Sequence, residues 1–249
     1  MNIDLAVIGG TGLYKFPGLE NVERREVKTP FGDPSGLIVL GTVQGKRLAF
    51  LARHGENHDL APHRVNYRAN VWALHHLGAR RALGVNAVGG IRDDMGPRVI
   101  AVPDQLIDYT YGRLSSFCDI EGAKVEHVDF TKPYTASLRA GLLAAAKKAG
   151  IAVVDGGCYG ATQGPRLETS AEIARMRRDG CDLVGMTGMP EAVLARELEM
   201  DYACLALVAN WAAGCGGTAS ISLPEIFAHL EAATANVSPI VSALLSASV

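Results

Sequence analysis

The sequence predicts an α/β protein of a single domain, in which a central mixed β-sheet is flanked by helices. Short apolar runs typical of buried strands alternate with longer segments of helical spacing along the 249-residue chain. The length suits one large domain or two small ones, and no linker, low-complexity stretch or evident repeat divides the chain. We therefore expect one domain over residues 1–249.

The predicted strands are short apolar runs bounded by glycine or polar residues. The run 3–8 ends in glycines, and two β-rich runs around "QG", 37–43 and 46–52, predict a hairpin. The remaining predicted strands are 82–88, 98–103, 151–155 and 202–209, with another that ends in "VGMTGMPE" (184–191).

The predicted helices have recognisable ends. Gly78 stops the first of them, and Thr169 followed by Glu172 three residues later is a capping-box pattern. Pro190 falls near the start of another helix, where its missing N–H costs nothing. The predicted helices cover 64–77, 135–149, 169–179 and 189–199, with one or two more over 223–246.

The composition is that of a soluble globular enzyme, with 48% apolar and 20% charged residues. A net charge of -2 gives no reason to expect a nucleic-acid or anionic-membrane partner. Five scattered cysteines without a C-x-x-C pair argue against a disulfide framework or a structural zinc and for a reducing compartment. The first residues are typical of a strand rather than a signal peptide, and no apolar run reaches the roughly 18–20 residues of a membrane span, so we expect a cytoplasmic protein.

Polar side chains stand at the C-terminal ends of several predicted strands, where α/β proteins bind ligands. They are Thr11, Arg53 with His54, Asn86, Thr187 and Asn210. Together they can bind an anion and a flat polar ligand. The sequence has no serine or cysteine nucleophile motif, no cofactor fingerprint and no metal set, so an enzyme built on these residues would take its nucleophile from a substrate.

The first polar loop, "IGGTGLY" (8–14), is neither a dinucleotide fingerprint nor a P-loop. Lys15 stands where the fingerprint requires its last glycine, and no G-K-[ST] follows. The glycine N–H groups and the Thr11 hydroxyl can face an anion; alternatively the segment is a tight turn. "VNAVGGIRDDM" (85–95) likewise lets backbone approach a ligand, or is a plain turn.

The loop "ARHGENHDLAPHRVNY" (52–67) is rich in cationic and imidazole groups. His54, His58 and His63 lack the H-E-x-x-H spacing and an acidic ligand at a matching offset, so we expect no metal here. The guanidinium of Arg53 offers fixed bidentate donors to a phosphate. The alternative is a solvated polar loop.

Three further residues have both a structural and a binding interpretation. Glu168, just ahead of a predicted helix, is either a first-turn acid favoured by the helix dipole or an acceptor in a pocket. Thr187 is either a ligand contact or part of an ordinary helix start. Asn210 ends a buried strand, where an unpaired amide costs roughly 1–3 kcal/mol, so it either caps local backbone or binds a ligand.

Several segments resemble the trimeric purine nucleoside phosphorylase family and, within it, the branch that acts on 5′-methylthionucleosides. They are "IGGTGLY", "ARHG", "HRVNYRANVWAL", "GPR" and "GMTGMPE", in this order along nearly the whole chain. The resemblance implies the nucleoside phosphorylase fold and a homotrimer with a site shared between subunits. It also implies phosphorolysis, in which inorganic phosphate is the co-substrate, no further cofactor is used, and the purine is displaced from C1′.

The resemblance implies roles for individual residues. The phosphate site would consist of Thr11, Arg53, His54, Asn86, Ala87 and Thr187, and family members often have serine or threonine where this chain has Asn86. The nucleoside site would consist of Met186 at the ribose, Leu167, Glu168, Asn210 and Ala212, with an apolar 5′ wall of Leu223, Ile226 and Phe227. His127 would enter the 5′ pocket of a neighbouring subunit, and catalysis would rest on His54, Glu168 and Asn210.

Glu168 and Asn210 decide the expected base. Family members acting on methylthioadenosine usually carry Asp at the positions of Asn210 and Ala212 and a small hydroxyl residue at that of Glu168, whereas 6-oxopurine members carry the Glu and the Asn found here. Ionised Glu168 accepts from the N1–H of a 6-oxopurine but would face the acceptor N1 of adenine. We therefore expect phosphorolysis of 5′-methylthioinosine. The alternatives are a methylthioadenosine phosphorylase, an inosine/guanosine phosphorylase and a non-catalytic nucleoside-binding protein.

Overall fold

A computed structural model describes residues 2–120, 122–217 and 222–247. The strands within them are β1 (Leu5–Gly9), β2 (Glu20–Arg25), β3 (Ile38–Val43), β4 (Lys46–Ala52), β5 (Arg81–Gly90), β6 (Ile100–Val102), β7 (Gln105–Asp108), β8 (Val154–Asp155), β9 (Cys158–Ala161), β10 (Leu183–Gly185) and β11 (Asp201–Trp211). The α-helices are α1 (Tyr67–His76), α2 (Ala136–Lys148), α3 (Ser170–Asp179), α4 (Glu191–Glu197), α5 (Leu223–Thr234) and α6 (Val237–Ala247). The predicted α/β fold class, a central mixed sheet with flanking helices, is confirmed.

All of these strands belong to one mixed sheet. Its main path runs β2-β3-β4-β1-β5-β10-β9-β7, while β11 pairs with β5 and β6, and β8 with β6. The predicted hairpin is β3 and β4, which pair antiparallel. The buried centre of the sheet is parallel, because β1 pairs with both β4 and β5, and β11 runs along β5 over its whole length.

The pairing along one edge of β5 is interrupted at one place. β11 occupies one edge of β5 from residue 81 to residue 90. On the other edge, β1 pairs with residues 82–85 and β10 with residues 89 and 90. Among the described strands, residues 86–88 therefore have no partner on that edge, and we call this interval the β5 gap. Backbone groups there are free for side chains or a ligand, since a strand edge presents unpaired N–H and C=O groups.

Helices cover both faces of the sheet. On one face, α1 and α4 bury Val71, Leu74 and Leu194 against the sheet. On the other, α2, α5 and α6 bury a second set that includes Leu142 and Leu230. A third, smaller cluster surrounds α3 and β10. The helix layers leave the C-terminal ends of β1, β4, β5 and β11 as the exposed edge of the parallel strands.

The helix ends follow the signals in the sequence. The Thr169 side chain accepts from Glu172 N at 3.2 Å and the Glu172 carboxylate accepts from Thr169 N at 2.7 Å, so the predicted capping box is formed. The predicted helix 64–77 is shorter, because Asn66 caps α1 by accepting from Ala69 N at 3.1 Å. Pro190 directly precedes α4, as expected.

The strands that differ from the prediction lack a strong apolar pattern. β2 has the sequence ENVERR and is mostly exposed, and β7 is exposed or half-buried along its length. Within the predicted strand 151–155 only Val154–Asp155 is paired. The strand predicted over 202–209 continues to Trp211, which places Asn210 inside β11 rather than beyond it.

The segment Leu223–Ala247 is apolar and long enough, by composition alone, to cross a membrane. In the structure it is two helices, α5 and α6. Their side chains Leu230, Val241 and Leu245 are buried in the core beneath the sheet. Packing against the sheet therefore accounts for the apolar character of this segment.

Candidate active site

A cavity of about 500 Å³ opens at the C-terminal ends of the central strands, beside the β5 gap. Its walls include all the predicted site residues except Asn86 and His127, namely Thr11, Arg53, His54, Ala87, Leu167, Glu168, Met186, Thr187, Asn210, Ala212, Leu223, Ile226 and Phe227. The fold thus brings together residues that are scattered over more than two hundred positions. Small-molecule sites of α/β sheets have this location and this size.

Arg53 lies at the β5 gap and is fully buried together with Glu191. Its Nε and Nη2 donate to the two carboxylate oxygens of Glu191, the Nη2 bond being 2.9 Å long. Nη1 donates to Val85 O at 3.1 Å, and Nη2 also donates to Asn86 Oδ1 at 2.8 Å. The Tyr202 hydroxyl donates to Glu191 Oε2 at 2.9 Å, so the carboxylate is fully held.

This pairing decides what Arg53 can offer a ligand. Burial alone lowers the pKa of Arg53, but the charge and hydrogen bonds of Glu191 outweigh burial, so the pKa is raised above its ordinary value. Arg53 is therefore charged and already neutralised within the protein. A guanidinium has five N–H groups, and four of them make these bonds, which leaves one on Nη1. The bidentate clamp expected from the sequence is thereby corrected to a single donor.

Asn86 supports Arg53 from within the sheet rather than from the cavity wall. It is fully buried, and its Oδ1 accepts from Arg53. Among the described residues its Nδ2 has no hydrogen-bond partner. A buried unpaired donor is rare in folded proteins, and it marks a place where a ligand or water completes the structure.

The glycine loop after β1 packs on the same guanidinium. A Cβ added to Gly10 would lie 2.7 Å from Val85 O and 2.8 Å from Arg53 Nη1, so only glycine fits here. Leu13 N donates to Gly10 O at 3.0 Å and closes a tight turn. The turn interpretation of "IGGTGLY" therefore holds, and the turn places Thr11 in the cavity wall beside Arg53.

His54 is a buried, neutral imidazole in the cavity wall. Burial, followed by the positive charge of Arg53, lowers the pKa of His54 to about 4. Its Nδ1 lies 2.8 Å from Leu60 O, and a carbonyl can only accept, so Nδ1 carries the proton. Nε2 is consequently an acceptor. Facing a phosphate, it can take a hydrogen bond only from a P–OH group.

The other two histidines of this loop have different positions. The His58 ring lies 4.8 Å from that of His54, centroid to centroid, and lines the cavity, whereas His63 is exposed outside it. Over the described ranges, no group of three or more His, Cys, Asp or Glu side chains is placed to hold a metal ion.

Glu168 reaches the cavity from the loop between β9 and α3. Its Oε1 accepts from the Thr162 hydroxyl at 2.6 Å. The helix-dipole interpretation applies instead to Glu172, which lies in the first turn of α3 and bonds Thr169. Glu168 precedes the cap residue and lines the cavity as a hydrogen-bond acceptor.

Asn210 is directed at the cavity by an irregularity in β11. The register with β5 shifts between Val208 and Asn210, so that Asn210 rather than Ala209 lies opposite Gly89. Such a bulge re-aims a side chain. The Asn210 Nδ2 donates to Trp211 O at 2.6 Å, so the amide does cap local backbone. A primary amide has a second N–H and an acceptor oxygen, so both interpretations of Asn210 can hold at once.

Met186 and Thr187 follow β10 and close the cavity from the other side of the β5 gap. Thr187 is buried, and Met186 is half-buried. A Cβ on Gly164 would lie 2.5 Å from Met186 Sδ, and the φ of Gly164 is +61°. The loop that leads to Glu168 therefore needs glycine where it crosses Met186.

The predicted 5′ wall is the first part of α5. Leu223 is 61% and Phe227 55% exposed, while Ile226 is half-buried. Large apolar side chains exposed at the rim of a cavity are typical of a binding surface. Within the described part of one chain, the outer side of this wall is exposed to solvent.

The structure of one chain does not bring His127 to the cavity. His127 is exposed in the segment that follows the 3₁₀ turn Phe117–Asp119. Nearby Leu114 and Val125 are 60% and 67% exposed. Its predicted place in a neighbouring subunit's pocket remains a prediction.

Glu191 and Thr162 hold site residues in place, and the sequence did not predict either role. Glu191 stands in the quoted segment "GMTGMPE", but an acid at a helix start has an ordinary structural explanation. Thr162 stands in "TQGPRLETSAE", where nothing in the local pattern indicates its bond to Glu168. Glu191 acts through Arg53, which is distant in the sequence, and Thr162 acts through Glu168 across a loop, and residue spacing reveals neither contact.

Comparisons with known proteins agree with this fold and site. The phosphorylase superfamily profile matches residues 4–246, and the chain belongs to this superfamily. A protein of Xanthomonas campestris named "Probable S-methyl-5'-thioinosine phosphorylase" is 60% identical over 98% of this chain and 97% of its own. The "6-oxopurine nucleoside phosphorylase" of Pyrococcus furiosus is 47% identical over 86% of this chain and 81% of its own.

Solved structures share the fold closely. A methylthioadenosine phosphorylase from an antarctic soil metagenomic library superposes with a TM-score of 0.91 at 36% identity, covering 98% of this chain and 86% of that one. The methylthioadenosine phosphorylase of Schistosoma mansoni, solved with adenine, gives a TM-score of 0.92 at 30% identity, covering 98% and 91%. The family resemblance stated from the sequence is confirmed.

The buried pair of Arg53 and Glu191 generates the first prediction. Replacing Glu191 by Gln leaves the guanidinium charge buried without its partner, and we expect a loss of about 3–5 kcal/mol in unfolding free energy. The control is the double variant Arg53→Met with Glu191→Met, which removes both charges and should be less destabilised than Glu191→Gln. Chemical denaturation measures both. A Glu191→Gln variant within about 1 kcal/mol of wild type contradicts the assigned pairing.

The second prediction concerns pH. The unfolded chain protonates His54 near pH 6.5 and the folded protein only near pH 4. As the pH falls between these values the unfolded state binds the extra proton, so His54 lowers the unfolding free energy, by up to about 3 kcal/mol, and has no such effect above this window. The His54→Gln variant has no imidazole at this position and so lacks this protonation. The unfolding free energy of wild type minus that of the variant should therefore decline from pH 6.5 to 4; a constant difference means that His54 is not held neutral.

Proposed function

We propose that this protein catalyses phosphorolysis of S-methyl-5′-thioinosine, giving hypoxanthine and 5-methylthioribose 1-phosphate. The observation that carries the proposal is that the Glu168 carboxylate and the Asn210 amide line one cavity together with the Arg53–His54 pair. Glu168 supplies an acceptor for the N1–H of a 6-oxopurine, and Asn210 a donor for O6 or N7. Relatives 53–60% identical to this chain carry the name of this activity.

The anion half of the cavity suits inorganic phosphate as co-substrate. The donors on this side are one Arg53 N–H, the hydroxyls of Thr11 and Thr187, and the backbone at Ala87 in the β5 gap. The acceptor Nε2 of neutral His54 receives the P–OH of a protonated phosphate. These donors and the His54 acceptor hold the nucleophile close to C1′, which lowers the entropic part of the barrier. The proposed reaction needs no other cofactor.

The two halves act on opposite sides of the bond that breaks. The transition state resembles an oxocarbenium ion, with positive charge on the sugar and electrons moving into the purine. Bound phosphate stabilises the cation and then attacks C1′. Preorganised hydrogen bonds from Asn210 to the departing base stabilise the charge that develops there. Glu168 keeps the base in register through N1–H.

The apolar 5′ wall favours a methylthio group over a 5′-hydroxyl. Leu223, Ile226 and Phe227 present no hydrogen-bonding side chain to that group, and a thioether is apolar and polarizable. An inosine/guanosine phosphorylase would leave the substrate hydroxyl against this wall. A cytoplasmic homotrimer, in which His127 of each subunit closes the 5′ pocket of the next, completes the proposal.

A methylthioadenosine phosphorylase is the second candidate, and the observation in its favour is the close structural match to such enzymes. Against it stand Asn210 and Ala212, at positions where family members acting on methylthioadenosine usually have Asp. A neutral amide and a methyl group provide no carboxylate for the 6-amino group.

A substrate panel tests the base and the co-substrate. With phosphate, kcat/KM for methylthioinosine should exceed that for methylthioadenosine by about a hundredfold or more, because a mismatched buried pair discriminates strongly. Inosine should be slower than methylthioinosine, and omission of phosphate should abolish turnover of all three. Equal or reversed preference between the methylthio substrates overturns the base assignment. Turnover that does not depend on phosphate overturns the reaction type.

A second experiment tests the shared site. His127→Ala should raise KM for methylthioinosine while leaving KM for phosphate unchanged, since His127 would contact only the 5′ side. Lys124→Ala, an exposed neighbour on the same segment, is the matched control and should change neither constant. Sedimentation equilibrium should give a trimer. A monomer at assay concentrations, or equal effects of His127→Ala on both KM values, contradicts the shared pocket.

A further inference from the structure

We propose that Thr162 is a positioning residue that sets the base preference, by holding Glu168 so that a single carboxylate oxygen reads the purine. Thr162 acts through Glu168 and does not touch the base itself. The inference rests on the proposed function, because it takes Glu168 as the residue that accepts from the base.

The contact between the two side chains is short and directional. Thr162 Oγ1 lies 2.6 Å from Glu168 Oε1 and 3.3 Å from Gly185 O. A hydroxyl has one proton to donate, and the shorter distance is that of a charge-assisted bond to a carboxylate. Thr162 is 8% exposed, so water competes little for this bond. The proton therefore belongs to the bond with Glu168.

Thr162 is itself fixed to the sheet. Its N–H donates to Gly185 O at 2.8 Å, which continues the pairing of β9 with β10. Its carbonyl accepts from Arg113 Nη2 at 3.2 Å, and the same nitrogen donates to Gln163 O at 2.9 Å. Arg113 Nη1 also donates to Met189 O, so one guanidinium ties the base side of the cavity to the segment after β10.

Glu168, in contrast, belongs to a loop. Its neighbours Leu167 and Thr169 are exposed, and the loop is held between a strand end and the cap of α3. Through its hydrogen bond, the Thr162 hydroxyl fixes the Glu168 carboxylate relative to the sheet. Without that bond the carboxylate can rotate about its side-chain torsions, and a donor on the base loses a fixed partner.

The bond also affects which base is accepted. With Oε1 bound to a donor, Oε2 is the oxygen left to accept from the N1–H of a 6-oxopurine. A 6-aminopurine presents an acceptor at N1 and would need a protonated carboxyl. By fixing Oε1, the Thr162 hydroxyl directs Oε2 at the N1–H of a 6-oxopurine, whereas the acceptor N1 of a 6-aminopurine meets the same acceptor oxygen.

The experiment compares Thr162→Val, which keeps the shape and loses the hydroxyl, with Thr162→Ser, which keeps the hydroxyl. Thr162→Val should lower kcat/KM for methylthioinosine about 10–100-fold, the effect of losing a hydrogen bond to a charged group. It should also narrow the ratio of kcat/KM between methylthioinosine and methylthioadenosine about tenfold. Thr162→Ser should stay within about threefold of wild type in both, and KM for phosphate should not change in either variant.

The ratio of kcat/KM for methylthioinosine to kcat/KM for methylthioadenosine is measured on one preparation, so it does not depend on the fraction of protein that is folded. A ratio equal to that of wild type in Thr162→Val overturns the proposal. So does a Thr162→Ser variant with native thermal stability but the same altered ratio as Thr162→Val.

A double-mutant cycle with Glu168→Ala separates positioning from general structure. If Thr162 acts through Glu168, then in the Glu168→Ala background Thr162→Val should lower kcat/KM by less than about threefold. The same loss in both backgrounds overturns the proposal. If Glu168→Ala has no measurable turnover, the proposal is decided by the ratio of kcat/KM between the two substrates in Thr162→Val and by its restoration in Thr162→Ser.

These outcomes are distinct from failure of the proposed function. A wild-type preference for methylthioadenosine overturns the assigned base, while the cycle, run on whichever substrate is turned over, still reports the coupling between Thr162 and Glu168.

Discussion

The buried ion pair between Arg53 and Glu191 is the interaction on which the rest of the site depends. It occupies the place where β1 stops and β10 has not yet begun to pair with β5. Two isolated charges there would be costly to bury, but they are paired with each other and hydrogen-bonded further, because Tyr202 donates to Glu191 and Asn86 accepts from Arg53. Burial keeps His54 neutral, and the nearby positive charge of Arg53 lowers the pKa of the imidazole further. The anion side of the cavity is therefore polar and charged, yet internally balanced.

The side of the cavity proposed for the base is built differently. Glu168 and Asn210 lie where the regular structure is interrupted, one on a loop and the other at a bulge. Each is held by one short hydrogen bond within the protein, to Thr162 and to Trp211 O respectively. Their remaining donor and acceptor positions are thereby aimed in fixed directions. Recognition of a purine edge needs such fixed directions, because specificity comes from leaving the wrong partner unpaired.

Much of this could be predicted from the sequence, and the exceptions have physical reasons. Apolar runs located the central strands, and Thr169 with Glu172 located the start of α3, because burial and capping act over a few residues. Family motifs located most of the cavity wall. The sequence did not indicate Glu191 or Thr162, whose partners are set by tertiary structure, nor β2, whose side chains face solvent. For Arg53 the pattern indicated a phosphate clamp, while the fold commits most of its N–H groups to the protein.

The β5 gap has a consequence for how such a site can change during evolution. The anion half is built from backbone and from side chains locked into the sheet, so substitutions there disturb the fold. The residues proposed to meet the base and the 5′ substituent lie on the Glu168 loop, on α5 and at the bulge near the end of β11, where the register with β5 shifts. Under the proposed function, exchanges in these segments can therefore change the substrate range, while the half of the cavity proposed for phosphate is constrained together with the sheet.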